Sequence, residues 1–310
     1  MIQILTTTAP ASPPSAVRRL DFQKIETCHL PLVAHYLQLT DSRTCDYTIG
    51  GIYLWVGFFG YELCEADGIL LIRGRQENNL AIPAFSLPLG PEESVARAVR
   101  LLASLHHPLR FSAIPEDRLH LFAEVGCSRV EELGPDWSDY IYSIDSFATL
   151  GGNAMKRKRN HVNRFIADNA GFRFTDIDPA QCMGLLARLG HDGSRMGAAE
   201  YGAVEGLLAR WDAFGPYMTG RMLTDNSGRV VAFTVGEIKG DTLHTHVEKA
   251  DHNVSGAGET VAHLFCKEMK ELCPALAIVN RQDCAGDSGL RLSKESWRPL
   301  RLLPKFNVTY

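Results

Sequence analysis

The chain has 310 residues, 45% hydrophobic and 22% charged, enough for two cores of about 150 residues each. Eight cysteines with no Cys-x-x-Cys pair argue against a disulfide framework or a metal cage, and no metal is expected. Charge is uneven: residues 1–150 carry 11 Lys and Arg against 18 Asp and Glu, which excludes a broad contact with nucleic acid or anionic lipid there, whereas residues 151–310 carry 21 against 18.

Residues 1–18 are rich in Thr, Pro and Ser, with no apolar stretch behind a charged start, and read as a flexible segment, not a secretory signal. No apolar run reaches the roughly 18 to 20 residues of a bilayer span, so a soluble, cytoplasmic protein is expected. In residues 19–145 the periodicity predicts a helix over 30–39. A hairpin follows around Ala66-Asp67-Gly68, then a third strand near 81–85, a helix over 91–105 with Glu92 and Glu93 in its first turn, a strand at 109–113, a helix over 115–124 and a strand at 128–132.

A connecting strand at 136–143 leads to a boundary at 145/146. In residues 146–310 the run Lys156-Arg157-Lys158-Arg159-Asn160-His161-Val162-Asn163-Arg164-Phe165 has apolar residues at helical spacing and predicts an amphipathic helix over 154–168 with a basic face. A strand at 172–176, helices over 180–190 and 198–213, and a three-stranded meander over 217–249 follow. Gly256-Ala257-Gly258 then opens a helix to Leu272, and a strand covers 276–280. A strand feeding a glycine turn and a helix N-terminus is the pattern of an anion pocket, which makes Gly256 and Gly258 candidate phosphate contacts.

This order of hairpin, long strand, glycine turn, helix and strand resembles the core of the GNAT acyltransferases. Five separated motifs narrow the resemblance. They are Asp139-Tyr140-Ile141-Tyr142, the stretch 158–165, Val231 to Glu237, His246-Val247-Glu248-Lys249-Ala250, and Asn280-Arg281-Gln282-Asp283 with 289–294. Together, over residues 45–308, they are similar to a bacterial family related to the C-terminal catalytic domain of phosphatidylglycerol lysyltransferase. The resemblance implies two tandem GNAT-like α/β domains (an α+β arrangement), each a mixed, mostly antiparallel sheet flanked by helices, with the active site in the second. It also implies an acyltransferase taking an aminoacyl group from aminoacyl-tRNA to an amine or hydroxyl acceptor. Two positions depart from the family pattern: Gly258 stands where an aromatic is usual, and Gln282 where a glutamate is common. The first of these favours the alternative donor, acyl-CoA. A third reading is a non-catalytic module for nucleotides or lipid headgroups.

Acyl transfer needs a base for the acceptor proton, a donor to polarise the carbonyl, and cations for the donor's phosphates. Glu248, at the end of the central strand, and Asp283, just past the next strand, are the candidate bases; an ion pair of Glu248 with Lys249 or Arg159, and helix capping by Asp283, are the alternatives. Lys156, Lys158, Arg159 and Arg164 are candidate phosphate contacts. Asn160 and Asn163 lie in a helix against their propensity, which a ligand or a buried hydrogen bond must offset. Lys249, Asn280, Arg291 and Lys294 complete the binding set, the last two sharing a helix face suited to a tRNA 3′ end or a carboxylate. His244 and His246 share a strand face with no third ligand in register and read as packed imidazoles. Asp192 and Arg195 are placed at the acceptor side by position alone. No tightly bound cofactor is expected, and the acceptor is a small molecule or a lipid headgroup.

Overall fold

The computed structural model describes residues 20–310 apart from Glu124 and residues 191–194. The segment expected to be flexible and the candidate Asp192 therefore lie outside the described residues. The strands are β1 (Gln23–Lys24), β2 (Glu62–Ala66), β3 (Ile69–Gln76), β4 (Asn79–Phe85), β5 (Arg110–Pro115), β6 (Arg129–Glu132) and β7 (Asp139–Ser143), followed by β8 (Arg173–Asp176), β9 (Thr219–Thr224), β10 (Val230–Lys239), β11 (Thr242–Ala250), β12 (Ile278–Asn280), β13 (Arg301–Leu303) and β14 (Lys305–Thr309). They form two seven-stranded sheets, β1-β2-β3-β4-β5-β14-β6 and β8-β9-β10-β11-β12-β7-β13.

Written this way the sheets match place for place. Each has a short edge strand and an antiparallel meander of three. A helix follows, Glu92–Leu105 in one half and Ala257–Leu272 in the other, and returns the chain to a parallel neighbour, β5 beside β4 or β12 beside β11. Only the sixth place is exchanged. β7, which follows β6 in the chain, pairs with β12 and β13 of the second sheet, and β14, which follows β13, pairs with β5 and β6 of the first. Two strands thus cross the boundary expected at 145/146, because each closes the other half's sheet. This is the expected α/β class, two mixed and mostly antiparallel sheets flanked by helices.

Local sequence explains most elements. The helix Glu92–Leu105 buries Val95, Val99 and Leu102, a spacing of four and three that puts all three on one face. β10 is buried from Val230 through Glu237, as its nearly continuous apolar run requires of a strand covered on both sides. The expected helix over 115–124 is shorter, a 3₁₀ turn at Glu116–Arg118 followed by Leu119–Ala123. The helix expected over 198–213 begins earlier and is divided, Arg195–Ala209 and Trp211–Phe214. β13 and β14 were not anticipated.

The halves are joined by polar contacts as well as by the exchange. Glu237 of β10 accepts hydrogen bonds from the backbone N–H groups of Ile49 (2.9 Å) and Gly50 (3.1 Å), at the N-terminus of the short helix Ile49–Tyr53. Lys239 donates to the Tyr47 carbonyl at 2.7 Å, and Arg43 pairs with Asp241 at 2.7 Å.

Candidate active site

A cavity of about 590 Å³ is walled by residues of both halves. β11 supplies Glu248 and Lys249, the loop after β12 supplies Arg281 to Ala285, and the basic helix Lys156–Asp168 supplies Lys158 and His161. The first half adds Cys45, Asp46, Trp55, Phe59, Tyr61 and Glu77. The described wall carries seven Asp or Glu residues against four Lys or Arg, so the electropositive pocket expected of the second half is acidic in sum. The reason is direction: Lys156, Arg157 and Arg164 of the basic helix are exposed, and only Lys158 turns in.

Glu248 does not pair with Lys249 or Arg159. Arg281 holds it, through Nε at 2.7 Å and Nη2 at 2.6 Å, both to Oε2, so that neither contact uses Oε1. The guanidinium stands 5.5 Å from the ring centre of Trp297 and 5.6 Å from that of Phe147, two rings stacked at 4.2 Å. Lys158 Nζ caps the same stack, 4.6 Å from the Trp297 centre and 3.3 Å from Glu259 Oε1. Burial pulls the Lys158 ammonium below the usual lysine range, with Glu259 opposing. Arg281 was noted only as part of a motif and Glu259 not as a site residue, since a charge reveals its partner only once the fold is known.

Of the other expected residues, Lys249 lines the cavity and pairs with Glu200 at 2.8 Å. Asp283 also lines it but does not cap a helix: Asp287 caps Ser288–Glu295, and Asp283 accepts from Ala285 N at 3.0 Å and from Lys305 Nζ at 3.0 Å. Lys294 is 9% exposed and donates to the carbonyls of Arg281, Gln282 (3.2 Å) and Asp283 (2.5 Å); it fixes the loop after β12 and does not share an open face with Arg291, which pairs with Asp136. Asn280 is fully buried, donating to Asp139 and the Arg43 carbonyl at 2.7 Å each and accepting from Gln282 N, so its work is structural. Arg159 donates to the carbonyls of Leu150 and Gly152, which ties the helix to the preceding turn. Asn160 and Asn163 face solvent, where the propensity cost needs no buried hydrogen bond. Arg195 opens the helix Arg195–Ala209.

The glycine turn differs from its expected role. Gly256 has φ 80°, and a Cβ there would meet the His161 backbone carbonyl, so the residue is small to admit the basic helix, not a pyrophosphate. The first turn of the helix carries Glu259, which Lys158 and His161 already pair with (3.3 and 3.2 Å). Gly256 and Gly258 both line the cavity, and a Cβ on Gly258 would make an ordinary 3.5 Å contact with Ala250.

Beside the cavity, fully buried Lys305 meets four carboxylates: Asp283 at 3.0 Å, Asp46 at 3.1 Å, Asp139 at 3.3 Å and Glu77 at 3.5 Å. Burial works against charge on both Asp139 and Lys305, but the ammonium, with hydrogen bonds from Asn280 and Cys45, holds the Asp139 carboxyl below its usual range, and the carboxylates hold Lys305 above its own. Cys45, Asp139 and Asp283 are close enough to share a metal ion, within 4.8 Å, yet Lys305 Nζ stands between the two carboxylates as their cation. The histidines are packed imidazoles. Burial pushes His244 down to about 3 and His246 down to about 4. His246 Nδ1 lies 2.7 Å from Gln282 Nε2, which puts the imidazole proton on Nε2, 3.8 Å from Glu237 Oε2. The glutamine departure at 282 is thus a donor to a cavity histidine.

No curated protein matches the sequence significantly. Among solved structures, a conserved protein of unknown function from Bacteroides thetaiotaomicron shares 24% identity and superposes with a TM-score of 0.79, covering 94% of this chain and 99% of that one. L-PGS from Bacillus licheniformis shares 16% identity with a TM-score of 0.62 and 90% of each chain covered, and FemX 10% with a TM-score of 0.57, covering 94% and 97%. At these identities the likeness shows the fold. No described helix is long and apolar enough to cross a membrane. The family model for the C-terminal region of phosphatidylglycerol lysyltransferase matches residues 37–309, nearly the whole of both sheets and every described wall of the cavity. The chain belongs to the phosphatidylglycerol lysyltransferase C-terminal family and is an acyltransferase domain of that type.

Proposed function

We propose that the protein transfers an aminoacyl group from aminoacyl-tRNA to an amine or hydroxyl acceptor, with Glu248 as the base. The observation that carries this reading is a single cavity that joins Glu248 to the foot of an exposed basic helix. Arg281 restrains Glu248 through one oxygen, and Oε1 takes the proton of the acceptor's N–H or O–H as its nucleophilic atom attacks the ester carbonyl. The C–O bond to the tRNA ribose then breaks, and the ribose oxygen leaves with the proton that Glu248 took. The cations of Lys156, Arg157 and Arg164 face outward, where a nucleic-acid backbone reaches them. Acyl-CoA is the weaker donor because the space at Gly256 belongs to the His161 carbonyl, and Glu259 occupies the helix start that a pyrophosphate needs.

The test is a set of purified aminoacyl-tRNAs incubated with the protein and either small amines or phosphatidylglycerol vesicles. Loss of one aminoacyl ester, matched by label on one acceptor, is the expected result. Charge reversal at Lys156 and Arg157 should weaken tRNA binding and flatten its dependence on salt. Turnover of acetyl-CoA with no tRNA ester consumed would overturn the reading.

A further inference from the structure

We infer that the face formed by Trp55, Phe59 and Tyr61 is a subsite for a large apolar side chain, so that the aminoacyl group brought to Glu248 is of the phenylalanine or leucine kind and not a cationic one. The inference deepens the transfer reading and rests on it. In an aminoacyl ester the side chain hangs on the carbon next to the reacting carbonyl, so the wall beside the base is the wall it meets. The first half of the chain supplies that wall. The short helix Ile49–Tyr53 lies so close to β11 that a Cβ on Gly50 would come within 2.3 Å of the His246 ring, and His246 and Glu248, two residues apart on β11, both line the cavity. Trp55 follows that helix, and Trp55, Phe59 and Tyr61 line the same cavity. Tyr61 stacks on Phe59 at 5.4 Å, and Trp55 stands 6.4 Å from Phe59. Trp55 and Tyr61 are only half-buried, which leaves ring surface for a ligand to cover.

A cationic side chain would find no free carboxylate in the described wall. Glu248 is held by Arg281, Glu200 by Lys249, and Glu259 by Lys158 and His161. Asp251 accepts from Asn253 N at 3.0 Å and lies 4.0 Å from Arg229. Asp283 accepts from Ala285 N and Lys305 Nζ, and Lys305 also contacts Asp46 and Glu77, which are hydrogen-bonded to each other. Two carboxyls that share a hydrogen bond hold a proton between them, in keeping with the burial that raises both. An ammonium entering here would lose its water and gain no unpaired counter-charge, whereas a ring or a branched alkyl group gives up nothing polar.

The test reads binding without turnover. The full chain is titrated by calorimetry at neutral pH with L-phenylalaninamide, L-leucinamide and L-lysinamide, in which an amide replaces the reactive ester. The first two should bind at least about tenfold more tightly than lysinamide, and Trp55→Ala should cut the affinity for phenylalaninamide about tenfold while leaving that for lysinamide within about twofold. 2-Phenylethylamine, which lacks the carbonyl, should bind more weakly than phenylalaninamide; equal binding would assign the aromatic face to the acceptor and overturn its assignment to the transferred group. Lysinamide bound as tightly as phenylalaninamide overturns the inference, as does an affinity for phenylalaninamide within about twofold of wild type in a folded Trp55→Ala protein. If that variant does not fold, the three amides on the unaltered chain decide alone. A protein that prefers the apolar amides but consumes no aminoacyl-tRNA loses the transfer reading and keeps the apolar subsite; one that transfers lysine keeps the transfer reading and loses the subsite.

Discussion

Lys305 Nζ lies 3.3 Å from Oδ1 of Asp139, and each is the first residue of a strand that one half of the chain lends to the other half's sheet. The exchange is therefore clasped at the start of both strands by one buried ion pair. Lys305→Met removes the ammonium that all four carboxylates contact and is expected to destabilise the fold by about 3 to 5 kcal/mol, read from urea unfolding at neutral pH. A loss under about 1 kcal/mol would mean that protonation of the carboxylates compensates fully. Adding Asp139→Asn should restore part of the loss, since the two residues are coupled.

The glycine turn gives a paired prediction. Gly256→Ala places a Cβ against the His161 carbonyl at φ 80° and should cost about 2 kcal/mol or more, whereas Gly258→Ala should lie within about 0.5 kcal/mol of wild type. Thermal unfolding of the two variants checks it, and equal stabilities would remove the packing argument for Gly256.

The contribution of His244, His246 and Glu237 to stability should rise with pH between about 4.5 and 6.5. Burial raises Glu237 to about 7 from 4.5, so over this window the folded protein keeps a proton that the unfolded chain releases, and this term alone lowers stability as pH rises through it. His244 and His246 are depressed to about 3 and 4 from 6.5, so the unfolded chain binds two protons there that the folded protein refuses, and stability from these groups is lost as pH falls below 6.5. The balance is one extra proton on the unfolded chain, a slope of about 1.4 kcal/mol per pH unit from these groups. His244→Leu, which removes a ring with neither nitrogen hydrogen-bonded, should reduce the measured slope by about one proton and raise stability at acid pH. An unchanged slope in urea titrations across the window would contradict the assignment.

At the reacting end, Glu248→Gln should lower kcat about 10²- to 10⁴-fold with KM for the tRNA donor little changed, because it removes the base and leaves the cavity shape. Arg281→Lys keeps a charge but not the two-pronged contact with Oε2, and an intermediate loss is expected. Steady-state kinetics on both variants distinguish a base from a residue that only shapes the wall: equal loss in kcat/KM with kcat preserved would mean Glu248 binds but does not take a proton.

The elements were legible where one strand or helix carries its own signal. β10 announces itself by its apolar run, the helix Glu92–Leu105 by its acidic start and apolar face, and the meander by its turn residues. The strand exchange was not legible, because nothing local names the neighbours of β7, and β14 was not read as a strand at all. At the site, Glu248, Asp283, Lys158 and Lys249 were visible as charges near a strand end or in a basic helix, and the cavity gathers all four. Asn280 and Lys294 drew notice for the same polar chemistry, but the fold uses it internally, Lys294 on three backbone carbonyls and Asn280 on Asp139 and the backbone of Arg43 and Gln282. Asp46 and Glu77 were passed over because their importance depends on Lys305, more than 200 residues away along the chain.

The exchanged strands also set an order of events during synthesis. β5 and β6 leave the ribosome long before β14 exists, and until residues 305–309 arrive the first sheet has an open slot between them, with two unpaired edges exposed. β7 is made early too, and waits for β12 to be translated before it has a neighbour. The first half therefore cannot finish folding on its own while the second is still being made, and a nascent chain halted before residue 305 presents those edges to whatever else is in reach.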